Sequence, residues 1–215
     1  MTNFIGCLFL FLGVVNSVCA GVTVLGTRFF INDNTKSLNI KLMNDNESDY
    51  LIKTNIDGGD FIISPPLFVL QKNMSNIVSI IPQIHTYSNK DKVYSLTITT
   101  IPKSARDFDK NKVSLAVRSH FNLIYYHGSP NKNDYDLINL SQSSSGEWQL
   151  VNPTDRVFLV SLTTEPDSVS KRVRLLEPGV TLVLKDLCRR DKCTLWANFL
   201  DSENNLIIQK KLTAK

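Results

Sequence analysis

NKVSLAVRSHFNLIYY, from Asn111 to Tyr126, is the stretch that decides the fold: apolar Val113, Leu115 and Val117 alternate with Ser114, Ala116 and Arg118. Successive side chains of a strand point to opposite sides, so this alternation describes a long strand with two different faces. The same period recurs in Leu38, Ile40 and Leu42 and again in Tyr94, Leu96 and Ile98. Turn signals separate such runs, among them Asn32-Asp33-Asn34, Asp57-Gly58-Gly59, Ser145-Gly146, Pro178-Gly179 and Asn204-Asn205. No long segment carries a helical period. An all-β chain of sandwiches follows.

Met1 to Ala20 reads as a secretory signal. Its apolar run, Ile5 to Val15, is too short to span a bilayer and ends at the small residues Val18-Cys19-Ala20. The expected mature chain begins at Gly21, is soluble and exported, and inserts in no membrane. It suffices for two domains of about a hundred residues each, every one with its own core. The polar, turn-rich segment His127 to Asp134 is the expected boundary, giving a first domain from Gly21 to Tyr126 and a second over residues 127–215. Removal of the leader leaves Cys188 and Cys193, an even count in an exported chain. They are expected to form a disulfide across a hairpin with the polar tip Arg189-Arg190-Asp191-Lys192, stabilising it by roughly 2 kcal/mol. A zinc site would need two further ligands, and a redox motif uses a shorter spacing.

The net charge of +4 is mild and the basic residues are spread along the chain, which argues against a nucleic-acid partner. Phosphate loops, a nucleophile elbow and paired metal-binding histidines are absent from the sequence, and His85, His120 and His127 stand apart from any carboxylate or nucleophile at a useful spacing. The expectation is a protein that is not an enzyme and needs no cofactor. Arg28 interrupts the apolar run Leu25-Gly26-Thr27-Arg28-Phe29-Phe30. It reads either as a solvated edge charge or as a guanidinium held to grip a carboxylate through paired donors. Val113, Leu115 and Val117 likewise read either as the core face of an ordinary strand or as side chains lent to another protein's unfinished sheet.

Taken in order, GTRFF (Gly26 to Phe30), ISPPLF (Ile63 to Phe68), Thr100-Ile101-Pro102, the Asn111 to Tyr126 strand and Asn152-Pro153-Thr154 resemble the periplasmic chaperones of bacterial fimbriae, the PapD-like family of the chaperone and usher pathway. The resemblance spans nearly the whole mature chain. It implies two immunoglobulin-like β-sandwich domains set at an angle, a periplasmic location, and a role in binding, folding and capping fimbrial subunits by donor-strand complementation before delivery to an outer-membrane usher. It further implies that Arg28 anchors the subunit's C-terminal carboxylate, with Asn122 standing where the family has a Lys, and that Val113, Leu115 and Val117 are the donated side chains. Asp91 replaces a Glu and Tyr126 an Arg in an interdomain ionic network that includes Asp201. The ten residues Lys103 to Lys112 resemble the short-loop members that serve rod-like fimbriae. An exposed edge also allows the free chaperone to self-associate. The alternative is an extracellular adhesin or receptor-type module, with Asn46-Glu47-Ser48, Asn73-Met74-Ser75 and Asn139-Leu140-Ser141 as glycan acceptors.

Overall fold

The computed structural model describes residues 21–83, 89–103, 115–166, 168, 170, 172–184, 187–188 and 192–213. The leader expected over residues 1–20 lies outside them, as do Val113, His85 and most of the Lys103 to Lys112 loop. The first half comprises β1 (Thr23–Val24), β2 (Arg28–Asn32), β3 (Leu38–Asn44), β4 (Tyr50–Ile56), β5 (Phe61–Ser64), β6 (Leu67–Leu70), β7 (Met74–Pro82), β8 (Lys92–Pro102) and β9 (Val117–Tyr126). The second comprises α1 (Lys132–Leu137), β10 (Asn139–Gln142), β11 (Trp148–Val151), β12 (Phe158–Thr163), β13 (Val173–Leu176), β14 (Thr181–Val183), β15 (Thr194–Leu200) and β16 (Leu206–Thr213). Sheets ordered β1-β3-β7-β5 and β2-β9-β8-β4-β6 face each other in the first sandwich, and sheets β10-β11-β14 and β13-β12-β15-β16 in the second.

The alternation read from sequence is what closes each core. Ile40 and Leu42, Tyr94, Leu96 and Ile98, with Ile52, Ile80 and Leu123, are buried between the first two sheets, while their neighbours in sequence face outward. Every step from β1 to β8 takes the chain from one sheet to the other, and two of these crossings are tight corners. The first crossing follows β1, and at Gly26 the backbone has φ of 122°, where a Cβ would also stand 2.7 Å from the Phe29 ring. The second is the Pro65-Pro66 corner between β5 and β6. There Thr54 donates its amide to the Pro66 carbonyl at 2.9 Å, while proline contributes no ladder donor. In the second sandwich Phe158, Val160 and Leu162 share a core with Leu195, Ala197 and Phe199. Cys188 and Cys193 are disulfide-bonded, and Cys193 lies in that core. The linker sequence expected after Tyr126 also holds α1, capped by Asn131, whose side chain accepts from the Asp134 amide while Asp134 accepts from the Asn131 amide.

β12 is buried along its entire length because both of its faces are covered. Leu159 turns away from the second core and, with Val157 and Leu200, packs on Ile124, Phe30 and Tyr126 of the first sandwich. This small apolar contact joins the two halves.

Each sandwich uses the same device at a strand end. The Asn44 amide nitrogen donates to the carbonyls of Ser48, Leu70 and Gln71, and that of Asn152 to the carbonyls of Arg156, Leu176 and Glu177. The Asn152 oxygen accepts from the amide and hydroxyl of Thr154, which accounts for the Asn152-Pro153-Thr154 motif. Asn152 is fully buried, so Asn152→Ala leaves several polar groups unpaired. At about 1–3 kcal/mol for each unsatisfied buried group, the expected loss is about 3 kcal/mol or more, read as a lower urea midpoint.

Candidate functional site

Strand β9 has two neighbours of unequal reach. It pairs antiparallel with β8 from Val117 to Tyr125, but parallel with β2 only from Asn122 to Tyr126. Among the described residues, the side of β9 facing away from β8 from Val117 to Phe121 is therefore an open strand edge, a template for an added strand. Val117 stands opposite Thr100, Ser119 opposite Ile98 and Phe121 opposite Leu96, so Val117 shares the inward face with Leu123 and Tyr125. That row runs off the end of the core. Leu123 is fully buried, Phe121 half-buried against Phe29, Val117 54% exposed and Leu115 72% exposed. Apolar side chains of inward parity left in solvent distinguish the two readings open in the sequence: Leu115 and Val117 are not core. Val113 lies outside the described residues.

Where β2 joins β9 the open edge ends. Arg28 is the first residue of β2 and is paired in register with Asn122. The two share a face with Phe30, Ile124 and Tyr126, the face that packs on the second sandwich, and so stand at the mouth of the cleft between the halves. Arg28 Nη2 donates to Asn204 Oδ1 at 2.5 Å, and among the described residues no carboxylate lies within ion-pair distance of the guanidinium. Asn122 is exposed. Deeper in, a cleft of about 460 Å³ is lined by Phe30, Asp33, Tyr126, Val157 and Leu200 among others.

The interdomain polar network is built differently from the arrangement expected. Asp91 is its centre: buried to 3% exposure, it accepts from the His127 amide at 2.8 Å, the Val157 amide at 2.8 Å and Arg156 Nη1 at 3.4 Å. Arg156 also donates to the His127 carbonyl and lies 3.9 Å from Asp134. Burial raises the Asp91 carboxyl above its ordinary value, against the opposing pull of these donors. Asp201, expected to join this network, instead serves its own turn: its carboxylate accepts from the amides of Glu203 and Asn205 and from the Asn205 side chain, which lowers its pKa. Tyr126 contributes a ring stacked on Phe30, centroids 5.9 Å apart, and burial raises its phenol pKa, so no charge replaces the expected Arg. Arg156 and Asn204 are the residues that sequence reasoning passed over. Asn204 falls in a turn signal, and Arg156 lies two residues beyond the Asn152-Pro153-Thr154 motif, but neither position is marked as functional by spacing.

Among the described residues no group of His, Cys, Asp or Glu is placed to hold a metal ion, and no helix is long and apolar enough to cross a membrane. Two immunoglobulin-like sandwiches, an apolar-faced strand edge and a cation where that edge stops give the chain the frame of a binding protein. The model of the pili and flagellar-assembly chaperones, PapD N-terminal domain, matches residues 21–128, and the chain belongs to that family. It is 29% identical over 155 residues to the chaperone protein LpfB of Salmonella typhimurium, covering 67% of each chain. It is 31% identical over 119 residues to the probable fimbrial chaperone LpfB of Escherichia coli, covering 50% of each. The fold is that of the periplasmic chaperone SfaE, at a TM-score of 0.64 and 20% identity over 90% of this chain and 100% of that one. It is also that of a Salmonella enterica SafA pilin and SafB chaperone complex, at a TM-score of 0.69 and 13% identity over 90% and 96%.

Proposed function

We propose that this chain, a chaperone of pilus assembly, works in the periplasm by lending the Val113 to Phe121 edge to a pilus subunit that lacks a strand, and hands the capped subunit to an outer-membrane usher. The single observation that carries this reading is the run of exposed, inward-parity apolar side chains on an open strand edge that leads to Arg28. A subunit's C-terminal strand adding to that edge parallel to β9 would end where β2 begins, its terminal carboxylate meeting Arg28, the first residue of β2. Asn122, beside Arg28 in register, is an uncharged donor at the same mouth. The distance from Leu115 to the Asn122 register is about 23 Å at about 3.3 Å per residue, room for a strand of ordinary length.

Leu115 and Val117, with Val113 before them, then occupy alternate positions in the subunit's open core, each worth about 1.5–3 kcal/mol when fully buried. Capping that surface suppresses aggregation. Without ATP in the periplasm, release draws on the tighter packing of the assembled subunits. The functional units are a first domain over residues 21–126, which carries the edge, and a second over 127–215, which closes the cleft. In the absence of a subunit, the same edge serves a second copy of the chain.

Periplasmic co-expression with a strand-deficient candidate subunit tests the reading. A soluble one-to-one complex is expected, and a subunit that aggregates equally with and without the chain would overturn it. Within that assay Leu115→Glu is expected to lower recovery at least about tenfold, because a charge enters an apolar groove, whereas Ala116→Glu on the opposite face has a smaller effect. Equal effects would mean that the lent face is the other one.

A further inference from the structure

Arg28 is met not by a second cation of its own sandwich but by an amide from the other. We propose that Asn204 is the second half of the carboxylate anchor, so that a chain-terminal carboxylate is gripped by Arg28 from the first sandwich and Asn204 from the second. This rests on the anchor reading above and extends it to a residue of the second domain.

Arg28 has only donors, so the Asn204 atom 2.5 Å from Nη2 is necessarily its oxygen. The opposite edge of the same amide carries two N–H donors. When a carboxylate takes the Arg28 fork, a half-turn about the terminal torsion of Asn204 presents Nδ2 to it, and that torsion has a broad, two-fold profile. The contact that satisfies Arg28 in the free chain thus becomes a donor to the ligand. This supplies, without charge, a donor in place of the Lys that Asn122 replaces.

The turn from Asp201 to Asn205 is built to hold Asn204 in this place. The Asn204 amide donates to the Asp201 carbonyl at 3.1 Å, and the Asp201 amide to the Asn205 carbonyl at 2.9 Å. The Asp201 carboxylate accepts from the Glu203 and Asn205 amides at 2.9 and 2.8 Å. Asn204 itself takes φ of 67°, a left-handed conformation that Asn tolerates and that places its side chain at the tip. Asp201 is a positioning residue for Asn204, which explains why a carboxylate so near the cleft does not join the Asp91 network.

The left-handed backbone also decides the test. Asn204→Gly removes the side chain without straining the turn, and Asn204→Asp keeps the shape while setting a carboxylate against Arg28. The probe is a fluorescein-labelled ten-residue peptide of alternating Val and Thr, made with a free C-terminal carboxylate and as the C-terminal amide, and titrated into the full mature chain. The wild type is expected to prefer the acid by at least about 100-fold. Asn204→Gly should lower that preference by about tenfold, leaving the share due to Arg28, with an unchanged melting temperature, since a hydrogen bond to a charged group is worth about a factor of ten. Asn204→Asp should abolish it as completely as Arg28→Ala, by occupying Arg28 from within. Full wild-type preference in Asn204→Gly would overturn the assignment of Asn204 while leaving the Arg28 anchor standing. A wild type that does not distinguish acid from amide would overturn the anchor itself, and the assignment of Asn204 with it.

Discussion

Arg28→Ala is expected to abolish productive subunit capture while leaving the fold intact. The guanidinium presents two parallel donors to a carboxylate, a charge-assisted pair worth about 3 kcal/mol or more, and 1.36 kcal/mol is tenfold in affinity, so capture should fall by roughly 100-fold. Against this, the substitution takes little from the free chain. Arg28 is half-exposed and its hydrogen bond to Asn204 is the side-chain contact to be lost, so the melting temperature should move by no more than a few degrees. Arg28→Lys should restore part of the capture, because an ammonium keeps the charge without the fork. Periplasmic co-purification of each variant with the same subunit, alongside thermal unfolding of the free chain, separates the two effects. Recovery of the complex at wild-type yield from Arg28→Ala would move the anchor elsewhere.

The second large effect falls on stability. Asp91→Ala removes the acceptor of two backbone amides and the partner of Arg156 at a site with 3% exposure. Deleting the side chain leaves the buried His127 and Val157 amides and the Arg156 guanidinium without their acceptor, at about 1–3 kcal/mol for each unsatisfied group. Burial holds the Asp91 pKa above its ordinary value of 3.8. The folded chain therefore binds this proton more tightly than the unfolded chain. The contribution of Asp91 to stability is fully present below 3.8 and declines as pH rises through its raised folded value. The difference in urea midpoint between the wild type and Asp91→Ala should be widest near the low end of that range and narrow toward neutral pH. A gap that widens with pH would show that the donors around Asp91, rather than its burial, dominate. Arg156→Ala is expected to reproduce part of the loss, and both variants should weaken capture through the cleft that they hold in shape.

Much of this architecture was legible in the residue order. Strands with one buried face announce themselves by a period of two, as Leu38 to Leu42 and Tyr94 to Ile98 do, because pleating alone dictates it. The paired cysteines, the proline corner at Pro65-Pro66 and the Asn152-Pro153-Thr154 strand end are local chemistry, and each stands where the sequence placed it. β12 marks the limit of pattern reading. Its apolar run, Val157 to Leu162 interrupted by Ser161, says only that both faces are covered, not that one of them covers the first sandwich.

The sequence by itself determined the all-β class, the alternating faces, the family and the placing of Arg28 in an apolar strand, since each of these depends on neighbours within a few residues or on a motif read in order. Only the tertiary structure decided that the row ending in Leu115 and Val117 leaves the core, that Asp91 pairs with Arg156 while Asp201 holds its own turn, and that Asn204 reaches Arg28. Those outcomes depend on where one strand stops beside another and on how two sandwiches meet. Asn204 and Arg28 are 176 positions apart. No local propensity can bring such residues together; the packing of Ile124, Val157, Leu159 and Leu200 does.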